Sequence, residues 1–299
     1  MLAKREHIKN LPILLEKTLI ESGIKNNESS IDYIAVTAGP GLEPALWAGI
    51  TFAEEVGKKW NKPVLPINHM EGHLWSVLYQ EPSISKEIEF PAIALLVSGG
   101  HTELVLAESF EKYKIIGRTK DDAVGEAFDK TARLLGLPYP GGPKISELAE
   151  IHRLKNIPSQ FDFPRPMMKT DDYNFSYSGL KTAVLYTVKK IPDLNMEVKE
   201  DIAQAFEDAA IEPLIFKTRK AIEEYNAKSI IVGGGVSANK FLRNSLTDLS
   251  KETGTQLFLP QPSLTTDNAV MIGMSAYVRA LTNRLPQTGN LIAKGNLNL

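Results

Sequence analysis

Apolar positions along the chain follow helical spacing in some stretches and strand spacing in others, and their alternation predicts an α/β protein. In residues 2–22 the apolar residues recur every three or four positions, at Ile8, Leu11, Leu15 and Leu19. This spacing, with charges between the apolar residues, predicts a helix. Residues 31–38 form a β-branched run that Gly39-Pro40-Gly41 closes, which predicts a strand ended by a breaker.

The same alternation continues to the end of the chain. A helix, a strand and a further helix are predicted over 46–60, 64–68 and 69–79. Three short strands are predicted at 92–97, 103–107 and 114–117. The later predicted helices cover 122–135, 178–189, 197–226, 238 onwards and 267–281, and the later predicted strands cover 229–232 and 256–259. Alternating helices and strands of this kind are typical of a parallel sheet.

The 299 residues suggest about two domains, at roughly 150 residues each. We place the first at 1–88 and the second at 89–299. The second opens with a three-stranded meander that the first lacks, so duplicated halves would mean that the first has lost its opening sheet. A Pro/Gly-rich break covers 138–143. Residues 156–176, rich in Pro and aromatic residues, are predicted to be an exposed insertion.

Composition narrows the chemistry. The absence of Cys excludes disulfides, thiolate metal sites and a cysteine nucleophile. A net charge of −2 and a pI near 6.3 give no overall basic field for nucleic acid or membrane. The longest apolar run, 93–97, is too short for a bilayer, and the first residues are too charged for a signal peptide. We therefore expect a cytoplasmic protein without a membrane partner.

The most distinctive local motif is His69-Met70-Glu71-Gly72-His73. Two His at i and i+4 share one helical face, where their imidazoles could hold one cation. Glu71 lies about 200° around the helix from His69, which argues against a zincin-type metalloprotease. The alternative is that both His cap or pack. Gly72 favours a site where something approaches closely.

Two glycine turns are candidates for phosphate binding. Ser98-Gly99-Gly100-His101-Thr102 lies between two predicted strands, and Gly233 to Asn239 leads from a strand into a helix. Free N–H groups at such turns bind anions, although neither motif is a Walker loop or GxGxxG. The alternative for each is a plain tight turn.

The sequence leaves the roles of two acidic residues undecided. Asp267, in Thr265-Thr266-Asp267-Asn268, precedes the last helix and could simply cap it, as could Thr266. Asp129 could bind a sugar hydroxyl or pair with Arg133 at i+4.

Several of these motifs together resemble the TsaD family of tRNA threonylcarbamoyltransferases. The matching stretches are Thr37 to Gly41, Asn68 to His73, Leu96 to Thr102, Asp122 to Gly142, Phe175 to Thr182, Gly233 to Asn239 and Thr266 to Ala269. They follow the family in order over essentially the whole chain. The resemblance implies an actin-like ATPase fold of the sugar kinase and Hsp70 type. That fold has two duplicated lobes and a central cleft, with the last helix returning to the cleft.

The resemblance also implies the site residues. One divalent metal per chain, iron(II) in the first place and zinc(II) as the alternative, would be held by His69, His73 and Asp267. Two His and one carboxylate leave coordination positions open, as catalytic ions require. The adenylate would lie on Leu96, Val97, Ser98, Gly99, Gly100, Asp129, Gly142 and Asn239. No catalytic residue is assigned beyond the metal ligands; His101 is a candidate general base or a plain turn residue.

The implied reaction transfers threonylcarbamoyl from threonylcarbamoyl-AMP to the exocyclic amine of the adenosine 3′ of the anticodon, in tRNAs that read ANN codons. The implied protein partners are TsaB, a paralogue that forms a heterodimer, and TsaE, an ATPase. Local patches and these partners would grip the tRNA.

The chain departs from the family at its start. Members begin with roughly 40 more residues in a strand hairpin, whose loss would leave an unpaired sheet edge. We expect either a start misassigned at an internal Met or a truncated protein. A truncated protein could act as a scaffold for TsaB and TsaE rather than as an enzyme.

Overall fold

Contacts divide the chain into two compact units. The structure, a computed structural model, describes residues 2–24, 28–80, 83–84, 87–284 and 291–299. Unit 1 comprises Met1–Ser76 and Asn268–Leu299, and unit 2 comprises Val77–Asp267. By contacts the first boundary falls after Ser76, and the segment from Asn268 belongs with unit 1. The division into lobes at 1–88 and 89–299 stays a prediction.

Unit 1 begins with the predicted alternation of helices and strands. Its elements are α1 (Leu2–Glu21), β1 (Ile34–Gly39), α2 (Glu43–Trp60), β2 (Val64–Asn68) and α3 (His69–Trp75). β1 and β2 pair in parallel, with Ile34 opposite Val64. The α2 helix buries Leu46 and Ile50, whereas α1 has no buried residue.

Unit 2 is built on a five-stranded sheet. After a short hairpin of β3 (Tyr79–Gln80) and β4 (Ser83–Ile84), the sheet strands are β5 (Ala92–Val97), β6 (Thr102–Ala107), β7 (Tyr113–Arg118), β8 (Ser229–Gly233) and β9 (Gln256–Phe258). Their order is β7-β6-β5-β8-β9. The predicted meander β5-β6-β7 is antiparallel, and β8 and β9 join it in parallel. Every residue of the central strand β5 is buried, which explains its uninterrupted apolar sequence.

The helices of unit 2 are α4 (Val124–Leu134), α5 (Gly141–Leu154), α6 (Ser178–Lys190), α7 (Met196–Tyr225) and α8 (Lys240–Thr253). Four of them match predicted helices. The fifth, α5, was not predicted, because Gly141-Gly142-Pro143 looks like a breaker. Proline is compatible with the first turn of a helix, where N–H groups have no intrahelical partner. The Pro/Gly run therefore begins a helix instead of interrupting the regular secondary structure.

The segment 156–176 is irregular, as predicted, but it is not simply exposed. Phe163, Tyr173 and Phe175 are buried in the main hydrophobic core of unit 2. The fully buried Lys217 of α7 holds the segment through its ammonium group, which donates to Asp172 O at 2.9 Å and Asn174 O at 2.6 Å. Most of the segment is exposed or half-buried, and these three aromatic side chains anchor it because burial removes their apolar surface from water.

The chain returns to unit 1 with α9 (Ala269–Leu281). Met271 and Ile272 of α9 pack with Leu65 and Ile67 of β2 in one hydrophobic cluster. Within the described part of the chain, no helix combines the length and the apolar character needed to cross a membrane.

Candidate functional site

The two predicted metal-binding His lie on α3, as their spacing indicated. Asn68 caps this helix: its side chain accepts a hydrogen bond from Met70 N at 2.8 Å and donates one to Asn298 O at 2.8 Å. The rings of His69 and His73 are 4.8 Å apart between centroids and nearly perpendicular. His73 is buried and His69 half-buried. The cap therefore fixes the first turn, which carries His69, and His73 follows one turn later.

Asp267 joins the His pair. Ligand atoms of His69, His73 and Asp267 all lie within 4.8 Å of one another. Asp267 directly precedes Asn268, whose side chain caps α9 by accepting from Met271 N at 2.9 Å. Asn268 thus performs the capping that the sequence left open for Asp267. Atoms that share one ion with bonds near 2.1 Å lie at most about 4.2 Å apart. A separation within 4.8 Å therefore places the three side chains where small rotations would let them share one divalent cation.

Glu71 and Gly72 fix α3 against α9. The buried Glu71 accepts from Arg279 Nε at 3.0 Å and also pairs with Arg279 Nη2. A Cβ atom at Gly72 would lie 3.0 Å from Met271 Cε, so the small residue permits close helix packing. Glu71 is therefore engaged in an ion pair between helices, which agrees with the argument against a zincin-type protease.

The two glycine turns lie against each other in unit 2. A Cβ atom at Gly234, where φ is +90°, would lie 2.3 Å from Val97 O. In the other turn the Ser98 hydroxyl accepts from His101 N at 3.0 Å and Gly100 N at 3.3 Å. The predicted phosphate loops are thus brought together, but the Ser98 hydroxyl is committed to closing its own turn.

Asp129 holds the beginning of α5. Its Oδ1 accepts from Gly141 N at 2.7 Å and from Gly142 N at 3.3 Å. Gly141 has to be glycine here, since a Cβ atom would lie 2.3 Å from the Cβ atom of Ala132. The carboxylate therefore satisfies N–H groups of the unpredicted helix, a role that the sequence did not suggest for it.

These elements enclose a cavity of about 760 Å³ within unit 2. Of the predicted adenylate-binding residues, those in its wall are Gly99, Asp129, Gly142 and Asn239. The others, Leu96, Val97, Ser98 and Gly100, are not in the wall; Leu96 and Val97 are core residues of β5. The side chain of Asn239 caps α8 by accepting from Leu242 N at 2.8 Å.

The back of the cavity holds an unpredicted carboxylate. Glu207 of α7 is 1% exposed. It accepts from Asn239 Nδ2 at 2.7 Å and from Arg153 Nη1 at 3.0 Å. Burial raises the pKa of Glu207, and the hydrogen bonds from Asn239 and the charge of Arg153 oppose the rise. Asn239 also donates to Ser146 Oγ at 2.7 Å, so both of its N–H groups are engaged.

With this geometry in place, comparison with known proteins identifies the family. The sequence pattern of the family described as "TsaD: tRNA N6-adenosine threonylcarbamoyltransferase" matches residues 1–274. The chain belongs to the TsaD family.

Curated relatives agree with this assignment. A tRNA N6-adenosine threonylcarbamoyltransferase of Thermosipho melanesiensis is 44% identical over 276 residues, which cover 92% of this chain and 81% of the relative. One of Staphylococcus epidermidis is 42% identical over 92% of this chain and 78% of the relative. As a TsaD family member, the chain is a transferase of the tRNA threonylcarbamoyladenosine modification.

Solved structures confirm the fold. HypF of T. kodakarensis matches 85% of this chain and 41% of its own length with a TM-score of 0.61 at 13% identity. A full-length HypF in the phosphate- and nucleotide-bound form matches 77% of this chain and 38% of its own length with a TM-score of 0.57 at 13% identity. The TsaD family chain thus has the predicted α/β fold of the actin-like ATPase class.

Sequence reasoning missed Glu207, and a usable signal was present. Ala203, Ala210 and Ile211 lie three or four positions from it and are all buried. An acidic residue in the middle of an apolar helical face is rare unless it has partners. The position of Glu207 on an apolar helical face would therefore have indicated that it has specific polar partners.

Proposed function

We propose that this chain transfers the threonylcarbamoyl group from threonylcarbamoyl-AMP to N6 of the adenosine 3′ of the anticodon in tRNAs that read ANN codons. The N6 lone pair attacks the carbamoyl carbon, the bond from that carbon to the phosphate oxygen breaks, AMP leaves with the electron pair, and N6 loses a proton. The observation that carries the proposal is the His69, His73 and Asp267 cluster in a TsaD family chain.

The residues of the chain fit the two demands of this reaction. The first is positioning of the adenylate, which the cavity wall around Gly99, Asp129 and Asn239 would provide. The second is compensation of negative charge on the leaving phosphate, for which main-chain N–H groups at the glycine turns are suited. Both contributions come from groups that the fold holds in fixed positions.

The cluster of His69, His73 and Asp267 suits iron(II) or zinc(II), since two imidazoles and one carboxylate bind either ion and leave coordination positions open. When bound by His69, His73 and Asp267, such an ion would supply positive charge to oxygens of the substrate. The chain's own task is to hold the three ligand side chains, through the caps at Asn68 and Asn268.

The same family assignment supports a proposal for the compartment, substrates and protein partners of the reaction. We place it in the cytoplasm, with tRNA and threonylcarbamoyl-AMP as substrates, TsaB as a heterodimer partner and TsaE as an ATPase partner. A metalloprotease is disfavoured because Glu71 is held by Arg279.

The test compares metal content and transfer in three variants. His69→Ala and Asp267→Ala should each lower bound iron or zinc, measured by elemental mass spectrometry. They should also lower threonylcarbamoyladenosine formation on tRNA by about a hundredfold or more. His7→Ala, on the exposed face of α1, is the matched control and should change neither.

Transfer unchanged in His69→Ala would overturn the metal assignment. Chelator-sensitive cleavage of a general protein substrate by the metal-loaded protein would instead favour the protease. Wild-type protein that binds tRNA and both partners but transfers nothing would favour the scaffold.

A further inference from the structure

An aromatic ring stands in the cavity wall of unit 2 with no role in the site described above. Phe241 is the second residue of α8 and is half-buried. It follows the cap residue Asn239 by two positions, so the ring and the Asn239 amide belong to the same turn. A flat apolar surface beside fixed polar groups is what a nucleobase needs for binding.

The ring of Phe241 is held in place by a cation. The guanidinium carbon of Arg153 lies 4.0 Å from the ring centroid. Arg153 is in turn fixed by two carboxylates, since Nη1 donates to Glu207 Oε2 at 3.0 Å and Nη2 to Asp208 Oδ1 at 2.6 Å. Arg153 is not part of the cavity wall, whereas Phe241 is. The ring also packs against the main hydrophobic core of unit 2. The guanidinium and the core therefore fix the ring, and its half-buried remainder lines the cavity.

Charge distinguishes this part of the cavity from the glycine turns. Glu150 lies 3.9 Å from Arg153 Nη1, and Glu147, Glu150 and Glu207 all line the cavity. Lys240 also lines the cavity, and Arg153 pairs with Glu150 and Glu207, so cations offset part of this negative charge. The carboxylates remain acceptors for hydrogen bonds from amino or hydroxyl groups. Gly99 and Gly235, also in the wall, carry no side chain and leave their main chain to a phosphate.

We propose that Phe241 is the base-stacking residue of this cavity, with Arg153 as its positioning residue. The ligand class is a purine nucleoside monophosphate whose base lies on Phe241 and whose phosphate lies toward the glycine turns. This inference rests on the proposed function, because the adenylate is the nucleotide that the reaction requires.

The experiment measures AMP binding by isothermal titration calorimetry on the intact chain. Phe241→Ala should weaken AMP binding about tenfold or more, which is typical of a lost base–aromatic stack. Phe241→Trp should retain it. Ribose 5-phosphate, which lacks the base, should bind wild type and Phe241→Ala with equal affinity. Tyr186→Ala is the matched control: Tyr186 of α6 is an exposed ring outside the cavity wall, and its loss should change AMP affinity less than twofold. Tyr139 lines the cavity and is 86% exposed, so Tyr139→Ala tests whether that ring stacks on the base instead.

A spectroscopic readout separates stacking from folding. Fluorescence of 2-aminopurine riboside monophosphate should be quenched by wild type and Phe241→Trp. Phe241→Leu keeps an apolar side chain and should melt as wild type does, yet leave the probe unquenched. Arg153→Met should weaken AMP binding by about threefold and reduce the quenching without abolishing it.

Equal AMP affinity and equal quenching in wild type and Phe241→Leu would overturn the inference and leave the proposed function standing. A wild-type protein that binds no AMP would overturn both the inference and the proposed adenylate site. A larger loss in Tyr139→Ala than in Phe241→Ala would assign the stacking to the exposed ring and overturn the role of Phe241.

Discussion

Units 1 and 2 share an alternation of helices and strands, but the elements compared here are buried to very different extents. In unit 2 the central strand β5 pairs on both sides, with β6 and β8, and all of its residues are buried. In unit 1 the described strands β1 and β2 form a two-stranded sheet, and α1 exposes large apolar side chains such as Leu2 and Ile13. Alternation alone thus does not fix how much core a segment acquires.

The difference bears on how each unit holds its candidate site residues. The cavity wall of unit 2 is backed by a large core that includes Phe128 and Phe206, whose rings pack edge to face at 5.0 Å. The His pair of unit 1 lies on α3, whose other residues are buried, and polar contacts add to its positioning, namely the caps at Asn68 and Asn268 and the bond from Arg279 to Glu71. Because these contacts are few, the loss of any one of them should have a measurable effect on unit 1.

Hydrogen exchange should show the largest contrast. Amides of α1 should exchange at least about a thousandfold faster than those of β5, because α1 buries no residue and local opening needs little free energy. Peptides from α7, which contributes many residues to the core of unit 2, serve as the protected control. Equal protection of α1 and β5 in the isolated chain would contradict the comparison.

Removal of one cation that pairs with a carboxylate in each unit should show the next largest effect. Arg279→Met leaves the buried carboxylate of Glu71 without its guanidinium and should lower the free energy of unfolding by about 3–5 kcal/mol. Lys217→Met removes a donor to main-chain carbonyls and to the half-exposed Asp172, and should cost about 1–3 kcal/mol.

Urea unfolding can separate these two effects. All three tryptophans, Trp47, Trp60 and Trp75, lie in unit 1, so their fluorescence reports that unit, while far-ultraviolet circular dichroism reports both. Arg279→Met should shift the fluorescence transition most, and Lys217→Met the dichroism transition. A smaller loss for Arg279→Met than for Lys217→Met would show that unit 1 does not depend on its polar contacts as argued.

The smallest expected effect distinguishes two helix caps of the same residue type. Asn268→Ala and Asn195→Ala each remove a side chain that accepts from a main-chain N–H at 2.9 and 3.1 Å, and each should cost about 1 kcal/mol. Only Asn268 adjoins the metal cluster, so only its loss should lower metal affinity, by about tenfold. Metal titration of both variants checks this, and Asn268→Ser, which keeps a capping group, should restore affinity. Equal metal affinity in the two alanine variants would show that the Asn268 cap does not position the metal-binding side chains.

Much of the fold could be predicted because local patterns decide it. The meander, the long helix α7 and the parallel pair β1 and β2 follow from spacing and breakers that act over a few residues. The helix α5 was missed because a Pro/Gly run has two local meanings, a break or a first turn. The Asp129 carboxylate, whose Oδ1 accepts from Gly141 N, favours the second meaning, and that contact lies across a chain reversal.

The candidate site divides in the same way. Spacing alone placed His69 and His73 on one helical face, and the structure confirms their proximity. Family resemblance, rather than spacing, added Asp267. Neither source found Glu207 or Arg153, because their importance lies in contacts between α7, α5 and α8 that sequence separation conceals.

The sequence by itself determined most of the elements, the family and the His pair, since each depends on side chains within one turn or one motif. Only the tertiary structure decided that the glycine turns meet, that the aromatic residues of 156–176 enter the core, and that Arg153 supports Phe241. Those outcomes depend on which surfaces are brought together. That choice minimises exposed apolar area and unpaired buried polar groups over the whole chain at once, so no local window of sequence contains it.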